Sequence, residues 1–270
     1  MYKEFYGFKE NPFNITADPD FFFSSIHHGE AFSHLVFGIQ QRKGILVVTG
    51  EVGTGKTTLC RALLNRIDKN TKTALILNPN FSDIQLLRLI IQDLGIPGVF
   101  KNKFELINGL NEFLLEETRQ GHNVAIIIDE AQNLNPRQLE QIRLLSNLET
   151  EKQKLLQIIL VGQPELNEKL NLPSLRQLNQ RVAVRYRILP LECAEVEQYV
   201  QHRVRFALTE RAPAVQFTSE AYQTVYRHTR GVPRLINIIC DRGLLAGYAA
   251  QSRVIDHSIL NTAIKELFQL

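Results

Sequence analysis

The apolar run Ile45-Leu46-Val47-Val48-Thr49 leads without a break into Gly50-Glu51-Val52-Gly53-Thr54-Gly55-Lys56-Thr57, and a helical pattern follows over Thr58–Ile67. A strand that turns through glycines into a helix has one well-defined physical use. The glycines let successive backbone N–H groups curl around phosphate oxygens, and the helix N-terminus adds a partial positive charge. The segment fits the P-loop (Walker A) pattern at every required position. It places Lys56 to neutralise the β- and γ-phosphates of ATP and the Thr57 hydroxyl to ligate Mg²⁺. The nucleotide-contacting set read from it is Gly50, Glu51, Val52, Gly53, Thr54, Gly55, Lys56, Thr57 and Thr58.

A second run, Val124–Ile128, ends in Asp129-Glu130. In an open α/β fold this places both carboxylates at the carboxyl edge of a sheet, where ligands bind. Alone, a strand followed by Asp-Glu is a common pattern; downstream of a full P-loop it reads as a Walker B motif. Asp129 is expected to join Thr57 in the magnesium shell. Glu130 is expected to polarise a water for attack on the γ-phosphate.

Strand-like and helical patterns alternate around these motifs. Thr73–Leu77 and Leu156–Val161 are further near-continuous apolar runs, as expected of strands covered on both faces. Ser82 is placed to cap a helix whose third position is Gln85 and whose stripe is Ile84, Leu87, Ile91 and Leu94. Another helix is expected over Lys103–Arg119, stopped by Gly121, and a third from Asn135-Pro136. Alternation of this kind argues an α/β fold, a parallel sheet flanked by helices. Val182–Ile188 reads as one more strand, carrying Arg185 and Arg187 on one solvated face. After Pro190 the strand signal stops, and helices are read over Glu195–Ala207, Ala221–Thr229 and Pro233–Tyr248. The expected organisation is therefore a core with its N-terminal segment over residues 1–189 and a small all-helical domain over 190–270.

Composition excludes several classes. With 270 residues, 44 % of them hydrophobic, the chain has ample material for a core. A formal net charge of +3 is too mild to make nucleic acid an obligatory partner. The longest apolar runs are strand-sized, far short of the ~20 residues of a membrane span. The N-terminus lacks the apolar stretch of a signal peptide. Cys60, Cys193 and Cys240 lack zinc-like spacing and read as reduced, apolar core residues. The aromatic run Phe21-Phe22-Phe23 is expected to pack the N-terminal segment onto the sheet near the adenine pocket.

Beyond the P-loop, ordered blocks carry a family resemblance. They are Met1-Tyr2 through Phe5-Tyr6-Gly7-Phe8 with Pro12-Phe13; Ile128-Asp129-Glu130-Ala131-Gln132-Asn133-Leu134; Leu145 to Thr150; Gly162-Gln163-Pro164-Glu165-Leu166; Leu175 to Arg181; and Gly231-Val232-Pro233-Arg234-Leu235-Ile236-Asn237. With the P-loop, they resemble the AAA+ ATPases of the ExeA, or general secretion pathway protein A, family, which includes the MSHA pilus-biogenesis ATPase MshM. The resemblance covers essentially the whole chain and makes the all-helical part a lid. It implies that Gln163 is the first sensor, reading the γ-phosphate, where many AAA+ proteins carry Asn or Thr. It implies that Arg234 is the second sensor, contacting nucleotide from the lid. Arg181, with Arg176 the second choice, matches the region that supplies an arginine finger to a neighbouring subunit, so a homo-oligomer is implied. Family members of the secretion type continue into a membrane span and a periplasmic part, whereas this sequence stops at Leu270.

The leading expectation is a Mg-dependent ATPase supporting assembly of a bacterial envelope machine, a type II secretion or type IV pilus system. It would act in the cytoplasm, at the cytoplasmic face of the inner membrane, with an envelope-assembly protein as partner. The alternative is a DNA-associated AAA+ regulator resembling transposition ATPases such as TniB.

Overall fold

The computed structural model describes residues 2–210 and 215–268. Met1 of the first family block and the chain end at Leu270 lie outside them. The chain divides into two compact units, one of residues 26–52 and 56–188, the other of residues 1–25, 53–55 and 189–270.

The first unit is built on a five-stranded sheet in the order β2-β3-β4-β1-β5, where β1 is Ile45–Gly50, β2 Thr71–Ile76, β3 Asn123–Ile128, β4 Gln157–Gly162 and β5 Val182–Ile188. Every pairing is parallel. β1 and β4 are buried at every residue, which explains their lack of polar alternation. β2 and β5, at the two edges, alternate in burial. The register decides where the chemistry falls. Thr49 pairs with Gly162 and Ile128 with Leu160, so β1, β3 and β4 finish within a few residues of one another along the carboxyl edge.

Local signals set the helices. Ser82 and Gln85 form a reciprocal capping box at the head of Asp83–Asp93, and Asn135 and Gln138 do the same for Pro136–Leu145, with proline at the first turn. Asn102 caps Lys103–Arg119, whose Leu106, Leu110 and Leu114 are buried. One expected stripe is rotated. In Asp83–Asp93 the buried residues are Leu86, Leu87, Ile90 and Ile91, while Ile84 is 40 % exposed. Two adjacent apolar pairs, four residues apart, define the inward face better than the single-residue series that includes Ile84.

The second unit is mainly helical, with Cys193–Ala207, Ser219–Thr229, Pro233–Ala249 and His257–Phe268 as its long helices. It also contains a short parallel ladder, β6 (Gln216–Phe217) with β7 (Val254–Ile255), too brief to leave a periodic signal. Gly231 has φ +76°, and a Cβ there would lie 1.9 Å from the Leu191 carbonyl oxygen, so only glycine fits this turn. Cys60 and Cys240 are buried as expected; Cys193 is exposed, because it opens the first turn of its helix on the solvent side.

The N-terminal segment corrects the expected grouping, since residues 1–25 pack with the helical unit rather than with the sheet. Tyr6 is fully buried there and its hydroxyl donates to the Leu244 and Ser252 carbonyls at 3.0 and 3.1 Å. Arg203 is 5 % exposed and donates to the carbonyls of Pro12 (2.6 Å) and Asn14 (2.8 Å). Its guanidinium lies 4.3 Å from the centroid of Phe21. Phe21 meets Phe206 and Phe23 meets Tyr199, at centroid distances of 4.6 and 5.7 Å. Phe21 and Phe23 thus pack into this second core, with the helical unit rather than onto the sheet as expected. Arg203→Leu takes the donor from the buried Pro12 carbonyl, leaves the Asn14 carbonyl only its 3.4 Å bond from Asn237, and removes the cation from Phe21, so a loss of about 2–4 kcal/mol is expected. Urea unfolding followed by tyrosine fluorescence measures it; a loss below about 1 kcal/mol would show the docking to be marginal.

Candidate functional site

The end of β1 delivers Gly50, and the loop returns into the Lys56–Arg66 helix. Gly53 and Gly55 have φ +81° and +89°, in the left-handed region where a side chain is strained. Lys56 is only 6 % exposed, and its Nζ donates to the carbonyls of Gly50 (2.8 Å) and Glu51 (2.9 Å). Thr54 is fully buried, whereas Glu51 and Val52 are exposed. The Glu51 carboxylate accepts from Arg187 at 3.4 Å. Thr58 follows in the helix, partly buried.

From β3, the Asp129 N–H donates to the Ile76 carbonyl (2.8 Å), extending the ladder by one residue and fixing the carboxylate at the sheet edge. Its Oδ2 accepts from the Thr57 hydroxyl at 2.5 Å, and its Oδ1 accepts from the Glu130 N–H at 2.9 Å. Glu130 adopts φ 52°, ψ 37°, an uncommon conformation for a non-glycine residue, and opens the short Ala131–Asn133 turn. That turn aims the Glu130 side chain at β4. Its Oε2 accepts from Gln132 Nε2 at 2.5 Å and from Gln163 Nε2 at 3.4 Å.

Burial sets the electrostatics. It pushes the Lys56 ammonium below the ordinary lysine value, while the charges of Glu130, Asp129 and Glu51 pull it back up. It likewise raises the Asp129 carboxyl, against the Thr57 hydroxyl and the Glu130 N–H, which favour the anion. The fold therefore holds a cation and a carboxylate that are both under-solvated, as fits a site prepared for charged ligand atoms. The Thr57 hydroxyl and the buried Asp129 carboxylate are hard oxygen donors already within hydrogen-bond distance of each other. That donor set suits Mg²⁺, which takes few protein ligands and completes its shell with phosphate oxygens and water.

A stability consequence follows for Asp129. Its proton affinity is higher folded than unfolded, so its contribution to stability falls as pH rises from the ordinary aspartate range through the raised folded value. Above that raised folded value the destabilisation is complete. Without nucleotide, Asp129→Asn is expected to raise stability by about 1 kcal/mol at pH 8 and by less at pH 5. Thermal unfolding at the two pH values checks this; a variant less stable than the parent at pH 8 contradicts it.

Of the residues expected at the site, Lys56, Thr57, Asp129, Glu130 and Gln163 come together at the carboxyl edge of the sheet. Arg234 lies in the helical unit at the start of Pro233–Ala249, where its N–H donates to the Gly53 carbonyl at 3.1 Å. A Cβ on Gly53 would come within 2.7 Å of Arg234 Cβ. Arg181 sits at the turn before β5, exposed, and is not tied to this cluster; its charge acts on Glu149. Arg176 is also exposed. Gln132 and Lys169 are additions that motif reading missed, for their links run through the fold. The Gln132 Oε1 accepts the Gln163 N–H at 3.0 Å, and the Lys169 ammonium donates to the carbonyls of Gln132 and Leu134.

Residues 39–170 match the family described as AAA domain. General secretion pathway protein A of Aeromonas hydrophila is 44 % identical over 99 % of this chain, which spans about half (48 %) of that protein's length. Among solved structures, the Aeropyrum pernix ORC2 protein in ADPNP–ADP complexes superposes with a TM-score of 0.69 at 15 % identity, covering 96 % of this chain and 72 % of that one. Cdc6p from Pyrobaculum aerophilum gives 0.69 at 20 % identity over 92 % and 70 %. The Thermotoga maritima RuvB branch-migration motor gives 0.55 at 15 % over 90 % and 70 %. At such identities these structures speak for the fold alone.

Proposed function

The chain belongs to the AAA+ proteins of the general secretion pathway protein A family, and from that premise we propose that it binds ATP with magnesium through Gly50–Thr58 and hydrolyses it to ADP and phosphate. The observation that carries this reading is the meeting of Lys56, Thr57, Asp129, Glu130 and Gln163 at one sheet edge. Thr57 and Asp129 are the residues that would hold Mg²⁺, which when bound supplies charge neutralisation at the phosphates. Lys56 contributes an ammonium whose present partners are two backbone carbonyls, weaker acceptors than a phosphate oxygen. Glu130 takes the proton of the attacking water. The new bond joins the water oxygen to the γ-phosphorus, the bond from that phosphorus to the β–γ bridging oxygen breaks, and ADP leaves. Gln163 reads the γ-phosphate and Arg234 contributes from the helical unit.

Arg181 acts as the finger toward a second subunit. In support, its guanidinium is exposed and has no hydrogen bond or ion pair among the described residues. The 44 % relative supports a role in assembling a bacterial envelope machine at the cytoplasmic face of the inner membrane, and does not favour the DNA-associated alternative. Among the described residues, no helix is long and apolar enough to cross a membrane. Phosphate release from ATP, assayed with Mg²⁺ and again with EDTA across protein concentrations, tests the proposal. Magnesium-dependent release that rises more than linearly with concentration is expected; no release at any concentration overturns it.

A further inference from the structure

Gln132 has no role in the reading above, yet both ends of its amide are engaged at the site. Nε2 donates to Glu130 Oε2 at 2.5 Å, and Oε1 accepts the backbone N–H of Gln163 at 3.0 Å. The orientation of this amide is forced. Flipped, it would set an oxygen against the Glu130 carboxylate and an NH₂ against the Gln163 N–H. The backbone under it is fixed as well, since the Lys169 ammonium donates to its carbonyl and to that of Leu134. Gly162 leaves the space it needs, for a Cβ there would lie 2.8 Å from Gln132 Oε1.

From this geometry we infer that Gln132 is a positioning residue. It fixes the Glu130 carboxylate by occupying Oε2, leaves Oε1 to accept the water proton, and ties that carboxylate to the backbone of Gln163. The inference rests on Glu130 being the base. Gln132 touches neither the phosphates nor the water in this scheme, so its whole effect passes through Glu130. The donor matters as much as the shape. A side chain of similar length without an N–H leaves the strained Glu130 turn free to present either oxygen, or neither.

The test is a double-mutant cycle on the full chain, with phosphate release measured in single turnover and nucleotide affinity measured with a fluorescent ATP analogue. Gln132→Leu is expected to slow release about 10- to 100-fold while changing nucleotide affinity less than about twofold. Added to Glu130→Gln, the same change is expected to slow release less than about twofold further, because the group it positions has already lost its function. An equal loss in both backgrounds, a parallel fall in affinity, or no loss at all overturns the inference and leaves the hydrolysis reading intact. Absence of release from the parent overturns both. Should Gln132→Leu fail to fold, Gln132→Met decides. It keeps an unbranched side chain of similar length and removes the N–H donor to Glu130 without adding a charge, so a comparable loss is expected, again absent in the Glu130→Gln background.

Discussion

Glu130→Gln is expected to bind ATP with the affinity of the parent and to release phosphate at least about 100-fold more slowly. The separation of binding from turnover is what the geometry demands. Among the described residues Glu130 makes no hydrogen bond to the P-loop; its carboxylate accepts from Gln132 and Gln163, and its backbone carbonyl caps the short turn after β3. The substituted amide still offers an oxygen to the Gln132 N–H, so the turn keeps its form and only the negative charge is lost. Lys56 then loses one of the three carboxylates that support its charge but keeps Asp129 and Glu51. Binding measured with a fluorescent nucleotide and turnover measured by phosphate release check the two halves separately. Near-parental turnover would remove Glu130 as the base and move attention to another acceptor for the proton. A matching loss of affinity would make Glu130 part of the binding surface instead.

The parts of this molecule that could be read from the chain are those whose chemistry is contiguous. A P-loop is eight neighbouring residues, and Asp129 and Glu130 follow directly on an apolar strand, so motif and site nearly coincide. The capping boxes at Ser82 and Asn135 are likewise local, which is why those helices begin where their sequences place them. The helix Ile26–Gln40 shows the opposite case. Leu35 and Ile39 are buried, but Ile26 and Phe37 are more than half exposed, so apolar residues on both faces blur the period. Docking of residues 1–25 onto the helical unit depends on Arg203 reaching the carbonyls of Pro12 and Asn14, nearly two hundred residues away in the chain. No window of sequence holds that information. Gln132 escapes motif reading for a related reason: Glu130 is its near neighbour in the chain, but the Gln163 N–H that completes its link comes to it only through the β3–β4 register.

Lys56→Ala is expected to weaken ATP binding by about 3 kcal/mol, roughly 100-fold, because it removes the ammonium that meets the phosphates. A purely structural lysine would give a different pair of results. If Lys56 served chiefly to hold the Gly50 and Glu51 carbonyls, its loss would lower the stability of the nucleotide-free protein and disturb binding only through the distorted loop. The electrostatics argue against that reading. Burial places the ammonium below its ordinary value, so the folded state binds this proton less tightly than the unfolded chain does. The sign follows by linkage: the charge opposes folding at neutral pH, and stability recovers as pH rises from the lowered folded value toward the ordinary lysine range. Removing the charge therefore offsets the loss of two hydrogen bonds, and the nucleotide-free melting temperature is expected to stay close to that of the parent. The two measurements together decide. Lost affinity with preserved stability identifies a cation kept buried for a phosphate, whereas ATP binding at parental strength would dismantle the phosphate site altogether.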